Sequence, residues 1–293
     1  MCGLFGAFSL NRGSSISTKL LYKNAEEMDN RGGDSVGWCV AMDNAISYWK
    51  RIGYASKHRK ELKQSVFGCP SIIGHTRFAT HGSETVEDNN HPHLYCNEEV
   101  VGAVTHNGVI GSHESIAKTN GVELIGECDS EIIARLIEDS SITIDLPKRI
   151  ANAVNECSPT DSIALSVLET GDDEVDICLV ARGNPVWYSI RNGVLYYAST
   201  KRKLPDSPIK LEEGSILHAR QHVGILDVFS GLMDSYSQGS LYSNWRTYGN
   251  YCSGYSGLVS KKDNTGTRKQ LPLLDVDVQF DSFDDWHNGR IGY

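Results

Sequence analysis

The 293-residue sequence lacks an excess of positive charge: 28 lysines and arginines stand against 37 aspartates and glutamates, a formal net charge of −9. A protein of this sign is repelled by nucleic-acid phosphates and by anionic lipid headgroups. It also lacks an apolar stretch long enough to cross a bilayer. Nucleic acid and membranes are therefore not expected partners.

Signals for export are missing as well. No positive residue precedes the apolar run "MCGLFGAFSL", and no small-residue cleavage site follows it. The eight cysteines form no C-x-x-C pair, so we expect reduced thiols in a cytoplasmic protein and not a disulfide framework. No Walker-type phosphate loop occurs, which argues against ATP use by this chain.

The patterns that are present predict hairpins of strands with helices between them. "VWYSIRNGVLYYAST" predicts a hairpin around Asn192-Gly193, "SIALSVLETGDDEVDICLVARG" predicts a second, and "SILHARQHVGILDV" could supply a last pair. Helical periodicity is clearest in "KLLYKNAEEMDN", "DSEIIARLIEDS" and "LPKRIANAVNEC". This order favours α+β layers over a doubly wound parallel sheet.

Composition changes near Asp227, where a stretch rich in Ser, Gly, Tyr and Asn begins and leads into an acidic end. We therefore predict a main domain over 2–225 and a C-terminal extension over 226–293. Such a composition is typical of a poorly ordered tail. Its many aromatic residues favour, slightly, a segment that packs on the main body or on another chain.

Four polar clusters stand at predicted strand ends or helix starts: "RGGDSVG" (31–37), "GHTRFATHG" (74–82), "THNGVI" (105–110) and "CDSEII" (128–133). Each has an ordinary structural explanation. Arg31 and Asp34 could form an ion pair, "HNG" could be a hairpin turn, and Asp129 with Ser130 could cap a helix. Taken singly, the ordinary explanation is favoured in each case.

Cys2 changes this balance. After removal of Met1, one residue carries both a thiol and a free α-amine, with unperturbed pKa values of about 8.5 and about 7.7–8.0. The amine can take the thiol proton and later deliver it to a leaving group. A thiolate that attacks an amide also needs donors for the oxyanion, which Asn107 and Gly108 could provide. Arg77 could bind the carboxylate of an amino-acid head group, and Asp129 its ammonium.

The chain resembles the class II glutamine amidotransferases, the N-terminal-nucleophile type, and within them the glutaminase half of glucosamine-6-phosphate synthase. Motifs in the same order as in that family carry the resemblance over residues 2 to about 225. They are "MCGLFGAF", "RGGDSVG", "GHTRFATHG", "NNHPH", "HNGVI", "CDSE", "ARGNPVWYS" and "LYYAST". The fold that this resemblance implies is α+β, a four-layer αββα sandwich of antiparallel sheets.

The same resemblance implies a role for each site residue. Cys2 would be the nucleophile, through a thioester, and Asn107 with Gly108 the oxyanion hole. Residues of the second and fourth clusters would bind the glutamine head, and one residue of the first would order the N-terminus. They are Arg77, Asp129, Thr80 and His81 for the head group, and Arg31 for the N-terminus.

Two departures from the family pattern qualify this reading. Phe78 stands where the motif usually has a tryptophan that is implicated in closing the site and guiding ammonia. The sugar-isomerase half of the family also has no counterpart here. We therefore expect hydrolysis of L-glutamine to glutamate and ammonia, with ammonia passed to a separate acceptor-activating synthetase or transferase. The oligomeric state stays open.

Ten histidines, with "HPH" at 91–93, raise the question of a metal. No carboxylate or cysteine stands at zinc-ligand spacing from this pair along the sequence, so we expect neither a metal nor a cofactor. Two alternatives to glutamine hydrolysis stay open. One is a catalytically silent binding or regulatory module of the same fold, and the other is hydrolysis of a different amide.

Overall fold

The computed structural model describes residues 1–221, apart from Arg12, Asp43, Glu98, Glu99, Asp172 and Asp173, and the backbone of 226–229, 261–262 and 268–269. The chain divides into two units, Met1–Ser253 and Gly254–Tyr293. In the second unit, strands β14 (Lys261–Lys262) and β15 (Arg268–Lys269) pair antiparallel. The predicted packing of the aromatic residues of the extension lies outside the described residues.

The first unit is built from two groups of elements. The strands are β1 (Gly3–Ser9), β2 (Ser35–Met42), β3 (Ala45–Ile52), β4 (Ser71–Arg77), β5 (His93–Cys96), β6 (Val101–Val109), β7 (Ser162–Gly171), β8 (Glu174–Arg182), β9 (Trp187–Arg191), β10 (Val194–Ala198), β11 (Ile209–Lys210), β12 (Ser215–Arg220) and β13 (Leu226–Phe229). The helices are α1 (Thr18–Met28), α2 (Arg59–Val66), α3 (His113–Asn120), α4 (Glu131–Asp139) and α5 (Leu146–Asn155), with short 3₁₀ turns at Ala55–His58 and Glu87–Asn89. None of these helices has the length and hydropathy that crossing a membrane requires.

The strands form two antiparallel sheets stacked face to face. The seven-stranded sheet has the order β11-β9-β10-β1-β4-β2-β3, and the six-stranded sheet the order β13-β12-β8-β7-β6-β5. Helices α1 and α2 share a hydrophobic core with the outer face of the first sheet, and α3, α4 and α5 share one with the outer face of the second. The predicted α+β, four-layer αββα sandwich is confirmed.

Strand β1 explains how the N-terminus is held. It is the central strand of the seven-stranded sheet, paired with β10 on one side and β4 on the other. Leu4 and Phe8 enter the core between the sheets, whereas Phe5 and Ala7 pack toward the helices. Since side chains alternate across a strand, burial on both faces requires the continuous apolar run. The position of Cys2, the residue before β1, is therefore fixed by the sheet.

Several local predictions are confirmed. Asn192 and Gly193 both have positive φ, 52° and 73°, as the two-residue hairpin between β9 and β10 requires. Helices α1, α4 and α5 occur in the three predicted segments. The last predicted pair is β12 with β13, so the sheet continues to Phe229, beyond the predicted domain boundary at 225.

Other elements carry no clear sequence signal. Strands β2 and β3 form a complete hairpin, but most of β3 is only half-buried and its residues do not alternate regularly between apolar and polar. Helices α2 and α3 have eight residues each, which is too short for a periodicity that stands out from the background.

Candidate active site

The Cys2 thiol lies at the junction of β1 and β4. Gly3 pairs with Thr76, so the antiparallel register, continued by one residue, places Cys2 opposite Arg77. The N–H of Phe78 donates to Cys2 Sγ at 3.3 Å, and the thiol lies 3.5 Å from the carbonyl oxygen of Phe78. The Phe78 side chain is 51% exposed. The backbone of Phe78, more than its ring, contacts the sulfur.

The surroundings of the thiol favour its protonated form. Burial raises the pKa of the Cys2 thiol, and the nearby Asp129 carboxylate acts in the same direction. The Phe78 N–H, the terminal ammonium of Met1 and the Arg77 guanidinium oppose this rise in pKa but do not cancel it. The sulfur therefore needs a base close by before it can act as a nucleophile.

The first polar cluster, residues 31–37, contacts the same junction through two side chains. Arg31 Nε donates to the carbonyl oxygen of Cys2 at 2.8 Å, and Asp34 Oδ2 accepts from the N–H of Ala79 at 2.8 Å. Within the described part of the chain no ion pair joins Arg31 to Asp34, so the ordinary explanation of this cluster is wrong. A Cβ at Gly32 would lie 2.6 Å from the carbonyl carbon of Arg77, so a glycine is needed for the two backbones to pack.

Arg77 is 2% exposed and holds the loop that follows β4. Its Nη2 donates to the carbonyl oxygens of His81 and Gly82, the latter at 2.9 Å. Its Nη1 donates to Asn90 Oδ1 at 3.2 Å. Three of the five guanidinium N–H groups are used in this way, which leaves one on Nη1 and the one on Nε for another acceptor.

Asp129, two residues before α4, is also 2% exposed. Its Oδ2 accepts from the N–H of Ile110 at 2.7 Å, and its Oδ1 lies 3.8 Å from His81 Nδ1. Thr80 is exposed on the loop beside His81. The Asp129 carboxylate therefore connects the end of β6 to the loop that Arg77 holds.

Ser130 is the N-cap residue of α4, as expected, but the capping hydrogen bond is not formed. Its hydroxyl lies 2.8 Å from His106 Nδ1. The Asp129 carboxylate is occupied by Ile110, as described above. Both side chains bind other groups than the helix N–H groups, because the buried His106 ring and the buried N–H of Ile110 need hydrogen-bond partners.

Asn107 and Gly108 do not form a tight turn, contrary to the sequence-based expectation. Both lie in β6, opposite Ala164 and Ile163 of β7. Strand β5 pairs with β6 only as far as Val104. The far edge of β6 therefore continues without a strand partner in the described structure, and alternate N–H groups on that edge are free of ladder bonds.

Two residues that were not singled out from the sequence fix Asn107. The Ser199 hydroxyl accepts from Asn107 Nδ2 at 3.4 Å and from the N–H of Leu4 at 2.9 Å. Asn184 Nδ2 donates to the carbonyl oxygen of Asn107 at 3.0 Å. Ser199 thereby joins the six-stranded sheet to β1, two residues from Cys2. Ser199 lies in the motif "LYYAST" and Asn184 in "ARGNPVWYS". Membership of these motifs is the feature of the sequence that could have indicated a role in the site.

Three buried histidines, His75, His91 and His93, lie close to Arg77. Burial lowers the pKa of His75 to about 3 and holds the pKa values of His91 and His93 well below the usual range, with the neighbouring histidines acting in the same direction. The His75 and His91 rings are tilted by 34° with centroids 3.9 Å apart, and those of His91 and His93 meet edge to face at 4.5 Å. All three imidazoles are therefore neutral near neutral pH.

The same group contains a cysteine. Ligand atoms of His91, His93 and Cys128 lie within 4.8 Å of one another, and all three residues are buried. In sequence, Cys128 is 35 residues from His93, which is why spacing along the chain gave no indication of this cluster.

Two curated relatives of this chain carry the same name. Glutamine–fructose-6-phosphate aminotransferase of Staphylococcus aureus strain Mu50 is 38% identical over 140 residues, 47% of this chain and 22% of that protein. The enzyme of the same name from Pseudomonas syringae pv. tomato is 32% identical over 234 residues, 75% of this chain and 36% of that protein. The chain thus spans well under half the length of either relative. No protein-family model matches it.

Solved structures share the fold. Glutamine phosphoribosylpyrophosphate amidotransferase from B. subtilis superposes with a TM-score of 0.61 at 20% identity, over 78% of this chain and 49% of that one. A glutamine aminotransferase class-II domain protein from Silicibacter pomeroyi superposes with a TM-score of 0.50 at 12% identity, over 78% of this chain and 99% of that one. By sequence and by fold, this chain contains a class II glutamine amidotransferase domain, related to part of glutamine–fructose-6-phosphate aminotransferase.

Proposed function

We propose that this domain, once Met1 is removed, hydrolyses L-glutamine to glutamate and ammonia through a thioester on Cys2. The position of the Cys2 thiol carries the proposal. It lies against the backbone of Phe78, in the field of both the Arg77 guanidinium and the Asp129 carboxylate. The groups suited to the two ends of an amino acid therefore stand near one nucleophile.

The α-amine of the mature terminus supplies the base that the buried thiol needs. The amine accepts the thiol proton, Sγ attacks the carboxamide carbon, and the C–N bond breaks as the amine returns the proton to the leaving nitrogen. Ammonia leaves and an acyl thioester stays on Cys2. Water then attacks the thioester carbon, the C–S bond breaks, and glutamate departs with the thiol restored.

Asn107 and Gly108 act as the oxyanion hole in this proposal. Asn107 Nδ2 is anchored through Ser199 to the strand that begins next to the nucleophile. A Cβ at Gly108 would lie 1.7 Å from the carbonyl oxygen of Ser162, so only glycine fits at that point of β6. Loss of one oxyanion donor typically costs about 3–4 kcal/mol of transition-state stabilisation.

The head group of glutamine is bound by the end of β4, by the loop that follows it and by the loop before α4. The two N–H groups that Arg77 leaves unused can hold the α-carboxylate. Asp129 binds the ammonium. Thr80 and His81 lie in the loop that follows Arg77 and contact the same head group. Arg31 keeps the terminus in place through the Cys2 carbonyl. Each contact suits a free amino acid better than a peptide, which carries neither charge at that point.

Ammonia is passed, in this proposal, to an acceptor-activating synthetase or transferase on another chain. The absence of a Walker-type loop from the sequence agrees with activation of the acceptor elsewhere. No disulfide joins any of the seven cysteines in the described part of the chain, which suits a reducing compartment such as the cytoplasm.

The test is glutamate release by protein whose mature N-terminus is confirmed as Cys2 by intact mass. We expect turnover with equal amounts of glutamate and ammonia, and loss of activity in Cys2→Ala. A glutamine-like electrophile such as 6-diazo-5-oxonorleucine should label Cys2 and be displaced by glutamine. Processed protein that releases no more glutamate than Cys2→Ala would favour the silent module instead.

A further inference from the structure

Unpartnered nitrogen atoms distinguish the histidines behind the site. Both ring nitrogens of His91, and Nε2 of His75 and of His93, have no hydrogen-bond partner among the described residues and are inaccessible to solvent. Buried polar side chains are normally hydrogen-bonded, and an exception calls for an unseen water or ion. His106, a fourth buried histidine nearby, has partners on both nitrogens, at Ser130 and Ser162.

The cluster holds the ligand types that zinc prefers. We propose that His91, His93 and Cys128 bind one zinc ion, with a water molecule in the fourth position. Two neutral imidazoles and a thiolate are ordinary protein ligands of zinc, at about 2.0–2.1 Å for nitrogen and about 2.3 Å for sulfur. Those bond lengths place tetrahedral ligand atoms about 3.4–3.6 Å apart, so a pair at the 4.8 Å limit observed here must approach by about 1.2–1.4 Å.

Binding includes a proton balance. The Cys128 thiol donates a hydrogen bond to Asp129 Oδ1 at 3.8 Å, so its sulfur carries a proton before zinc binds. Zinc must therefore displace the thiol proton, which is released to solvent as the Zn–S bond forms. Both histidines bind as neutral imidazoles and release no proton.

The site also ties together the two loops that carry the head-group residues. His91 follows Asn90, whose Oδ1 accepts from Arg77, and Cys128 precedes Asp129. Zinc would fix the separation of these two loops. Resting on the proposed function, this predicts that removal of zinc raises KM for glutamine more than it lowers kcat. The existence of the site does not depend on that activity.

The decisive experiment measures zinc in a Cys2→Ala background, because a terminal cysteine with a free amine can chelate metals by itself. Full-length protein is stripped with a chelator, incubated with zinc alone, passed through a desalting column and analysed for metal. We expect about one zinc per chain. Cys128→Ser in the same background should retain at least about 10-fold less. Cys157→Ser, at a buried cysteine in contact with Ala153, is the matched control and should keep the metal.

Cobalt gives a second readout. The Cys2→Ala protein loaded with Co²⁺ should show a thiolate-to-cobalt charge-transfer band and the intense visible bands of tetrahedral cobalt, and Cys128→Ser should lack the charge-transfer band. Circular dichroism of the stripped proteins shows whether each variant is folded. The proposal is overturned if the parent binds no stoichiometric zinc, which would assign the unpartnered nitrogens to buried water. It is also overturned if a folded Cys128→Ser protein binds zinc as well as its parent.

Discussion

Strand β5 carries two buried polar side chains on one face, and they differ in how they are satisfied. Tyr95 donates to Glu169 Oε2 at 2.8 Å, and Glu169 Oε1 accepts from Arg149 Nη2. His93, two residues earlier, offers Nε2 to no partner in the described structure. We call the first set (Tyr95, Glu169, Arg149) the paired triad and the second (His91, His93, Cys128) the open cluster.

The difference separates structural polarity from binding capacity. In the paired triad, burial alone would lower the pKa of Arg149, but the charge and the hydrogen bond of Glu169, together with the neighbouring Tyr95, outweigh burial and the pKa is raised. Its charges satisfy one another, and only Arg149 Nη1 lacks a hydrogen bond there. In the open cluster, both ring nitrogens of His91 and Nε2 of His93 are buried without a hydrogen-bond partner in the described structure. Burial of polar groups alone therefore does not indicate a binding site, whereas buried polar atoms without partners do.

Breaking the paired triad should give the largest change in stability. Glu169→Ala leaves the Arg149 guanidinium buried without its counter-charge, and we expect a loss of about 3–5 kcal/mol in the free energy of unfolding. Urea titration followed by circular dichroism measures it. Glu123→Ala, at an exposed carboxylate, is the control and should stay within about 0.5 kcal/mol of the parent. A Glu169→Ala loss close to that of the control would show that the triad is not what holds these charges.

The open cluster should respond to metal instead. At zinc concentrations of about 100 times Kd, we expect the free energy of unfolding to rise by about 2.7 kcal/mol relative to chelator-treated protein. Cys128→Ser should lose this increment and Cys157→Ser should keep it, both in the Cys2→Ala background. Thermal melts with zinc and with excess chelator give the measurement. The same increment in Cys128→Ser would place the zinc elsewhere.

The comparison also explains which features the sequence could predict. The αββα sandwich follows from local signals, such as the Asn192-Gly193 turn and the apolar face of α4, because the residues that determine each element are close together in sequence. The candidate site residues Cys2, Arg77 and Asp129 can be proposed from the sequence because each lies in a motif with distinctive chemistry. Their detailed partners cannot, since Ser199 reaches Asn107 across 92 residues.

The grouping of the open cluster could not be predicted from the sequence, for a related reason. "HPH" raises the question of a metal, but Cys128 belongs to another loop, and only the packing of the layers brings it close to the two histidines. The supposed turn at Asn107-Gly108 failed for a different cause. An Asn-Gly pair is a local turn signal, and here the pairing of β6 with β7 along its full length overrides it.

A milder change to the paired triad sharpens the contrast. Tyr95→Phe removes one hydrogen bond to Glu169 and leaves the ion pair with Arg149 in place. We expect a loss of about 1 kcal/mol in the free energy of unfolding, the net value of a typical hydrogen bond. Measured by urea titration beside Glu169→Ala, it separates the hydroxyl from the charge. A loss as large as that of Glu169→Ala would mean that the three groups act as one unit.

The smallest change is expected at the open cluster without metal. In chelator-treated protein, His93→Leu replaces an imidazole that makes no hydrogen bond through Nε2 by an apolar side chain of similar size, next to the apolar core of α4 and the six-stranded sheet. We expect the free energy of unfolding to change by less than about 0.5 kcal/mol, while zinc no longer stabilises the variant. Urea titrations with and without zinc test both statements on one protein. A large destabilisation of the metal-free variant would show that His93 is already satisfied, by a buried water for example, and the contrast between the two clusters would then disappear.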